Sequence, residues 1–242
     1  VALGWMDLTA ERSQAQADRL YETTVVEAEI VQSNPSVTVS SNQNIIREYT
    51  VNDILKTGLV QDVYLESELK YTFIAPYATE DSDLEYDKDR MIRNVVFCGT
   101  NQVERYCEQN GIEIEYAPRW SDEVFTEEWC TSATGSKYDA LVLPANMLAQ
   151  LGLELGNELM IYVHYEAPNG NSISGGCRIV GQYTSQNSSG DGNGPVLLGL
   201  SALLADEEAL RLQSTYSVAE FVLDSAKNRE LSARREELKG LV

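Results

Sequence analysis

Residues 138–183 read YDALVLPANMLAQLGLELGNELMIYVHYEAPNGNSISGGCRIVGQY, and the fold is decided by how they are read. Ala140–Leu143 is a short apolar run that stops at Pro144, which predicts a buried strand. Met147, Leu148 and Leu151 then recur at helical spacing over Ala145–Leu151, and Gly152 supplies the stop. Gly156-Asn157 predicts a tight turn, because glycine takes positive φ without strain. Leu159, Ile161 and Val163 alternate along the strand that follows. Asn169-Gly170 is a hairpin turn, and Cys177–Gly181 is the strand that returns beside it. The organising unit is therefore a strand, a short helix, a glycine turn and a long hairpin.

The same residues carry a family resemblance. LVLPANMLAQLGLELGNELMIYV and the later CRIVGQY resemble the pattern of extracytoplasmic domains in MacB/FtsX-type ABC-transporter permeases. In that family a strand leads through alanine and a short helix into Leu-Gly-Leu-x-x-Gly-Asp, then a strand, a hairpin and Val-Val-Gly-x-Tyr. GPVLLGLSAL, residues 194–203, is similar to the family's Val-Leu-x-Pro-Leu-Ser segment. Asn157 stands where the family usually has Asp, and Gly199 where it often has Pro. The resemblance covers roughly 138–203, more weakly at both ends, and consists of small, apolar and turn residues with no catalytic signature.

Composition bounds the rest. A chain of 242 residues holds one large or two small domains with ample core. A formal net charge of -20 and a pI near 4.3 exclude nucleic acid as a partner, since no basic patch could offset that field. The longest apolar runs fall far short of a membrane span. Without an initiating Met or a signal peptide, and with helix-like sequence at both ends, the chain reads as an excised fragment.

From the N-terminus, Leu3, Met6, Ala10, Ala17, Leu20 and Tyr21 recur by threes, fours and sevens, which makes Val1–Glu22 an amphipathic helix. Thr23–Gln32 is a strand by its β-branched residues, and Ser33–Asn44 is a polar, breaker-rich loop or loose hairpin. Thr50 is placed to cap a helix over Val51–Thr57 that Gly58 ends. In the strand Gln61–Ala75, Val63, Leu65, Leu69, Tyr71 and Phe73 share a face opposite Asp62, Glu66, Glu68 and Lys70. Asn94–Gly99 is another strand, Asn101 and Glu104 suggest a capping box, the helix stops near Gly111, and Ile112–Tyr116 is the next strand. Strand-helix-strand twice over predicts a split βαβ lobe with two helices on one face of an antiparallel sheet. Arg119–Lys137 breaks the periodicity, and Trp120, Phe125 and Trp129 are expected to pack back onto a lobe. Beyond the hairpin, Thr184–Gly194 is a loop, Val196–Leu200 a strand, and Ser201 the cap of a short helix to about Leu212. Tyr216–Leu223 is the last strand, and Asp224 or Ser225 caps a final helix through Gly240. Five of the chain's 18 Lys and Arg (Lys227, Arg229, Arg234, Arg235, Lys239) lie in that final segment.

These readings divide the chain into an N-terminal helix at 1–22, an α+β lobe at 23–118, a second mixed, β-rich lobe at 119–223 open to sharing strands with the first, and a C-terminal helix at 224–242; the resemblance implies that the first lobe is porter-like and that the two helices form a stalk. The class is α+β. The two end helices are expected side by side, Leu3, Met6, Leu20 and Tyr21 meeting Leu231, Leu238 and Leu241. Asp7, Glu11 and Asp18 then face the basic residues of the last helix.

Reactive chemistry is sparse. His164 is the only histidine, so a His-based metal cluster is excluded. Cys98, Cys107, Cys130 and Cys177 match no zinc or redox spacing. Cys98 and Cys177 are expected as buried thiols, whereas Cys107 and Cys130, in more polar segments, form the one pair open to a disulfide. A Cys nucleophile served by His164 is permitted by spacing alone and is the weakest reading. The alternating acids of Thr79–Asp89 invite calcium, but position six counted from Asp81 is Tyr86, where an EF-hand loop needs Gly; a solvated acidic loop is the better reading. Gly190, Gly192 and Gly194 have no accompanying Lys, so there is no phosphate loop and the chain is not an ATP-hydrolysing subunit. Asn187-Ser188-Ser189 matches a glycosylation acceptor. No catalytic, cofactor-binding or metal-binding residue is assigned, and the chain is read as no enzyme. By resemblance it is the non-catalytic extracytoplasmic domain of a permease, at the extracellular or periplasmic face of the cell membrane. The implied partners are the rest of the permease, a second permease copy and a cytoplasmic ABC ATPase, with an extracellular peptide, lipid or protein as a further one. The alternative is a secreted or surface-anchored binding module without a transport role.

Overall fold

A computed structural model describes residues 14–30, 45–77, 92–132, 139–155, 159–167, 169–185 and 194–241. In chain order the elements are α1 (14–23), β1 (Val26–Glu29), β2 (Ile46–Arg47), α2 (Glu48–Lys56), β3 (Val60–Tyr77), β4 (Ile92–Thr100), α3 (Val103–Asn110) and β5 (Ile112–Tyr116). There follow α4 (Glu127–Thr131), β6 (Asp139–Pro144), α5 (Ala145–Gln150), β7 (Leu159–Glu166), β8 (Ser172–Ser185), β9 (Val196–Gly199) and α6 (Leu200–Ala209). The last are β10 (Thr215–Tyr216), β11 (Val218–Leu223) and α7 (Asn228–Gly240). The chain is α+β and divides into two compact units, Val1–Tyr64 with Val218–Val242, and Leu65–Ser217.

The larger unit is built around the stretch quoted first. β6 ends at Pro144, α5 carries buried Met147 and Leu148, and Gly152 takes φ 65°. β7 and β8 form the antiparallel hairpin, with Leu159 opposite Ile179 and Glu166 opposite Ser172, and Gly170 at its turn has φ 80°. Pairing runs β3-β4-β9-β6-β8-β5, while β7 bridges β8 and β3. The ladder β3-β4-β9-β6-β8-β7 therefore returns to β3, where Phe73 pairs with Glu166 and Tyr77 with Tyr162. Closing a ladder in this way removes exposed strand edges.

Around α3 the expected split arrangement holds in direction. β4 is parallel to β9, β9 antiparallel to β6, β6 parallel to β8, and β8 antiparallel to β5, so β4 and β5 run the same way. The three strands filling the split all come from beyond residue 139, so strands on both sides of 119–137 share one sheet. That sheet is mixed, not antiparallel throughout. Its core holds Leu69, Tyr71, Phe97, Leu141, Leu143, Ile179, Val196 and Leu198. Tyr71 and Phe97 meet edge-on at 4.8 Å between ring centroids, a favoured aromatic geometry.

The smaller unit holds α1, β1, α2, the head of β3, β11 and α7. β1 pairs antiparallel with β11, Val26 opposite Leu223 and Glu29 opposite Glu220. Val51 and Ile54 turn the apolar side of α2 inward, and Gly58, at φ 69°, follows its last turn.

Several local expectations are corrected. Thr50 lies inside α2, whose N-cap is Arg47, and Ser201 lies inside α6, whose N-cap is Gly199; neither cap uses a side chain. Asn101 makes no capping box, since the N-cap of α3 is Gln102. Its Oδ1 instead accepts the Leu65 backbone N–H at 2.8 Å, tying together residues 36 positions apart. On β3, Tyr64 sits on the face read as wet and is fully buried. Cys130 is buried, not peripheral, because α4 packs on α6. Trp120 and Trp129 stack edge-to-face at 6.0 Å, and Phe125 is buried, as expected of residues packing back onto the fold.

Candidate functional site

Among the described residues, two places gather polar chemistry, one in each unit. In the smaller unit the last turn of α1 meets the first turn of α7. A helix leaves its final carbonyls without intrahelical partners, and each needs a donor. At the end of α1, Thr23 Oγ1 donates to Arg19 O at 2.8 Å and Thr24 Oγ1 to Leu20 O at 2.6 Å. The next orphan carbonyls, Tyr21 O and Thr24 O, both accept from Asn228 Nδ2 in the first turn of α7, the second at 2.8 Å. Asn228 is 7% exposed, so water does not compete for these bonds. Asp18 and Arg229 form an ion pair beside them.

The residue before α7 and the second turn of the helix are also tied to the end of α2. Lys227 Nζ donates to Gly58 O, and Arg234 Nη1 donates to Thr57 O at 3.2 Å. Cations at the C-terminus of a helix meet the negative end of its dipole as well as its free carbonyls. Asp224, expected to cap the final helix, instead caps a 3-10 turn over Ser225–Lys227 by accepting from Ala226 N at 3.0 Å, while the N-cap of α7 is Lys227 and uses no side chain. The start of α7 is therefore clasped to the ends of two other helices.

Beyond the clasp, α1, β1 and α7 enclose a groove of about 1170 Å³ walled by Ala17, Leu20, Val26, Leu223, Leu231 and Leu238. Leu20, Tyr21, Leu231 and Leu238 thus face one another as the spacing suggested, but across an open groove; Leu20 stays 66% and Tyr21 54% exposed. Leu3, Met6, Asp7 and Glu11 lie outside the described residues.

In the larger unit, α6 lowers acids onto the sheet. Asp206 Oδ2 accepts from the Tyr71 hydroxyl at 3.0 Å. Its neighbour Glu207 is 3% exposed, with Oε1 3.3 Å from Ser67 Oγ. Asp139, at the start of β6, is near enough for its charge to act on Asp206. Burial, reinforced by Asp139 and Glu207, pushes the Asp206 carboxyl up to about 8, against the lowering effect of the Tyr71 bond. Burial alone raises Asp139 to about 6. Burial and Asp206 together hold Tyr71 firmly in its neutral form. The only hint in the sequence was Tyr71 at a core position on β3; nothing in the spacing tied it to residues 139 and 206.

The residues weighed for chemistry stay dispersed. His164 lies in β7 opposite Ser174 and Ala75, while Cys177 is opposite Ile161. None of the four cysteines is in a disulfide, with Cys98, Cys130 and Cys177 buried and Cys107 half-buried. Burial raises the thiols of Cys98 and Cys130 and lifts Cys107 to about 11, the reverse of what a nucleophile needs. Among the described residues no group of His, Cys, Asp and Glu is arranged to hold a metal, and no helix is long and apolar enough to cross a membrane. The acidic segment Thr79–Asp89 and the Asn187-Ser188-Ser189 tripeptide lie outside the described residues.

No protein-family model matches the chain, and no curated protein sequence matches it. Among solved structures, it is similar to the periplasmic region of MacB from Actinobacillus actinomycetemcomitans. That likeness has 12% identity over 91% of this chain and 85% of the other, with a TM-score of 0.49. It is also similar to the extracellular domain of the noncanonic ABC-type transporter YknZ from Gram-positive bacteria. There the identity is 12% over 87% of this chain and 88% of the other, with a TM-score of 0.43.

Proposed function

We propose that this chain is the extracytoplasmic domain of an ABC-transporter permease, a non-catalytic part that passes movement of membrane helices to export or to an extracellular partner. The observation that carries the reading is the clasp at Asn228. It holds the last turn of α1 against the first turn of α7, so the chain's two end helices meet at one place in the smaller unit. The resemblance of residues 138–203 to the MacB/FtsX-type pattern supports the same reading.

Two helices joined at one point form a stalk, and a stalk transmits displacement where a flexible linker would absorb it. By rise per residue, α7 is about 20 Å long and α1 about 15 Å over its described part. Arg235 and Lys239, on the far half of α7, would lie nearest the anionic headgroups of a membrane. The partners in this reading are the remainder of the permease, a second copy of it and a cytoplasmic ATPase.

The parent reading frame tests it most directly. An apolar stretch of about 20 residues before Val1, with more beyond Val242, is expected. A signal peptide cleaved just before Val1 would overturn the permease and favour the secreted binding module. In the protein, the pair Asp18→Cys and Arg229→Cys should be joined by a short thiol-to-thiol crosslinker that spans the reach of the Asp18–Arg229 ion pair. Failure of that pair to crosslink would remove the clasp on which the reading rests.

A further inference from the structure

Helix α6 meets the sheet in two different ways along its length. Its first turns dock through apolar side chains, Leu200 and Leu203, both buried. The approach is so close that a Cβ on Gly99 would stand 2.9 Å from Leu203 Cβ. One turn later the contact becomes acidic. Asp206 meets Tyr71 of β3, and Glu207 meets Ser67 four residues earlier on the same strand.

Hydrogen counting at Ser67 is informative. Its hydroxyl carries one hydrogen and faces two acceptors, Thr215 O at 2.7 Å and Glu207 Oε1 at 3.3 Å. The shorter contact takes the hydrogen, so the longer one is a full hydrogen bond only when the carboxyl supplies a proton. Among the described residues, the groups that act on Asp206 are Tyr71 from β3, Asp139 from β6 and Glu207 on its own helix. Each of them is an acid. Placing full negative charge on more than one carboxyl here sets like charges against one another in a medium that screens them poorly.

The end of α6 is held by a second device. Leu210 O accepts from Asn169 Nδ2 at 3.2 Å and from Asn171 Nδ2 at 2.7 Å. These two residues flank Gly170 at the turn of the β7–β8 hairpin. Whatever loosens the end of α6 therefore also removes the two side-chain bonds by which the hairpin tip is held to it.

We propose that the second half of α6 is a proton-gated latch: with a proton held among Asp206, Asp139 and Glu207, the helix end and the hairpin tip that caps it stay on the sheet, and loss of that proton releases both. The latch does not depend on the transporter reading. Asp206 is raised from 3.8 to about 8, so the folded chain holds the proton more tightly than the unfolded chain does. The latch therefore contributes fully at acid pH and is lost progressively as pH rises from about 4 to about 8.

Amide hydrogen exchange of the whole chain, corrected for intrinsic exchange rates and followed from pH 5.5 to 8.5, tests this. Segments 204–212 and 167–171 should lose protection at least tenfold together as pH rises, while β4 and β9 stay protected. Asp206→Asn keeps the shape and removes the carboxyl that holds its proton to the highest pH, so the loss of protection in both segments should be clearly smaller than in the native chain and confined to the acid side of the range, where Asp139 titrates. Protection independent of pH in the native chain, or an equal loss in the Asn variant, overturns the latch. Should that variant fail to fold, carboxyl-carbon NMR of the native chain decides. An aspartate titrating above pH 6 supports the latch, and all carboxyls titrating below pH 5 refute it.

Discussion

At the scale of single residues, small side chains do much of the positioning here. Gly99 admits α6 to the sheet because any Cβ would press on Leu203. Gly99→Ala should therefore destabilise by about 1–3 kcal/mol, the usual cost of overpacking a filled core. Urea denaturation checks it: the midpoint should fall with the slope unchanged. Asn228 illustrates the opposite case, a polar group that is buried and used. Asn228→Ala removes the donor for Tyr21 O and Thr24 O, with an expected loss of about 1–3 kcal/mol from unmet carbonyls. Limited proteolysis should then cut α1 faster while leaving the larger unit intact. Asp18→Asn should cost far less, because the Asp18–Arg229 pair is open to solvent on the Arg229 side and such pairs contribute about 0–1 kcal/mol.

Elements were legible where periodicity and turn chemistry agree. Asn169-Gly170 between two alternating runs gave the hairpin, and Gly111 and Gly152 gave helix ends, each at positive φ. Caps were less legible: Thr50, Asn101 and Ser201 have the side chains a cap requires, yet in none of the three does the side chain cap the helix. A capping side chain has local competitors, and for Asn101 the winner was Leu65 N, distant in sequence. The thiols follow the elements that bury them. Cys98 and Cys177 lie in strands and Cys130 under α6, while Cys107 is on the half-buried side of α3. Labelling the native chain with a maleimide should modify Cys107 first and slowly, given its raised pKa, and the other three only on unfolding. Rapid native labelling of Cys130 would contradict the packing of α4 on α6.

At the scale of the whole molecule, the chain offers no catalytic constellation among its described residues and no nest of backbone amides with a lysine for a nucleotide. Calorimetry with ATP should show no binding at micromolar concentration. Measured affinity in that range would sink the transporter-domain reading, in which the ATPase is a separate subunit.

The sequence by itself determined the α+β class, the strand, short helix and hairpin of β6, α5, β7 and β8, the helices α1 and α7, and the presence of a single histidine. All of these rest on local patterns: period 2, period 3.6, glycines at turns, and counts of residue types. Only the tertiary structure decided that β9, β6 and β8 fill the split between β4 and β5, and that β7 returns the ladder to β3. Register between distant strands is set by mutual burial, to which each strand contributes only half of the information. The Asp139–Asp206–Tyr71 cluster belongs to the same class. Its members come from three elements separated by 68 and 67 positions in the sequence, and the Asp206 carboxyl is raised because folding takes it out of water beside other acids.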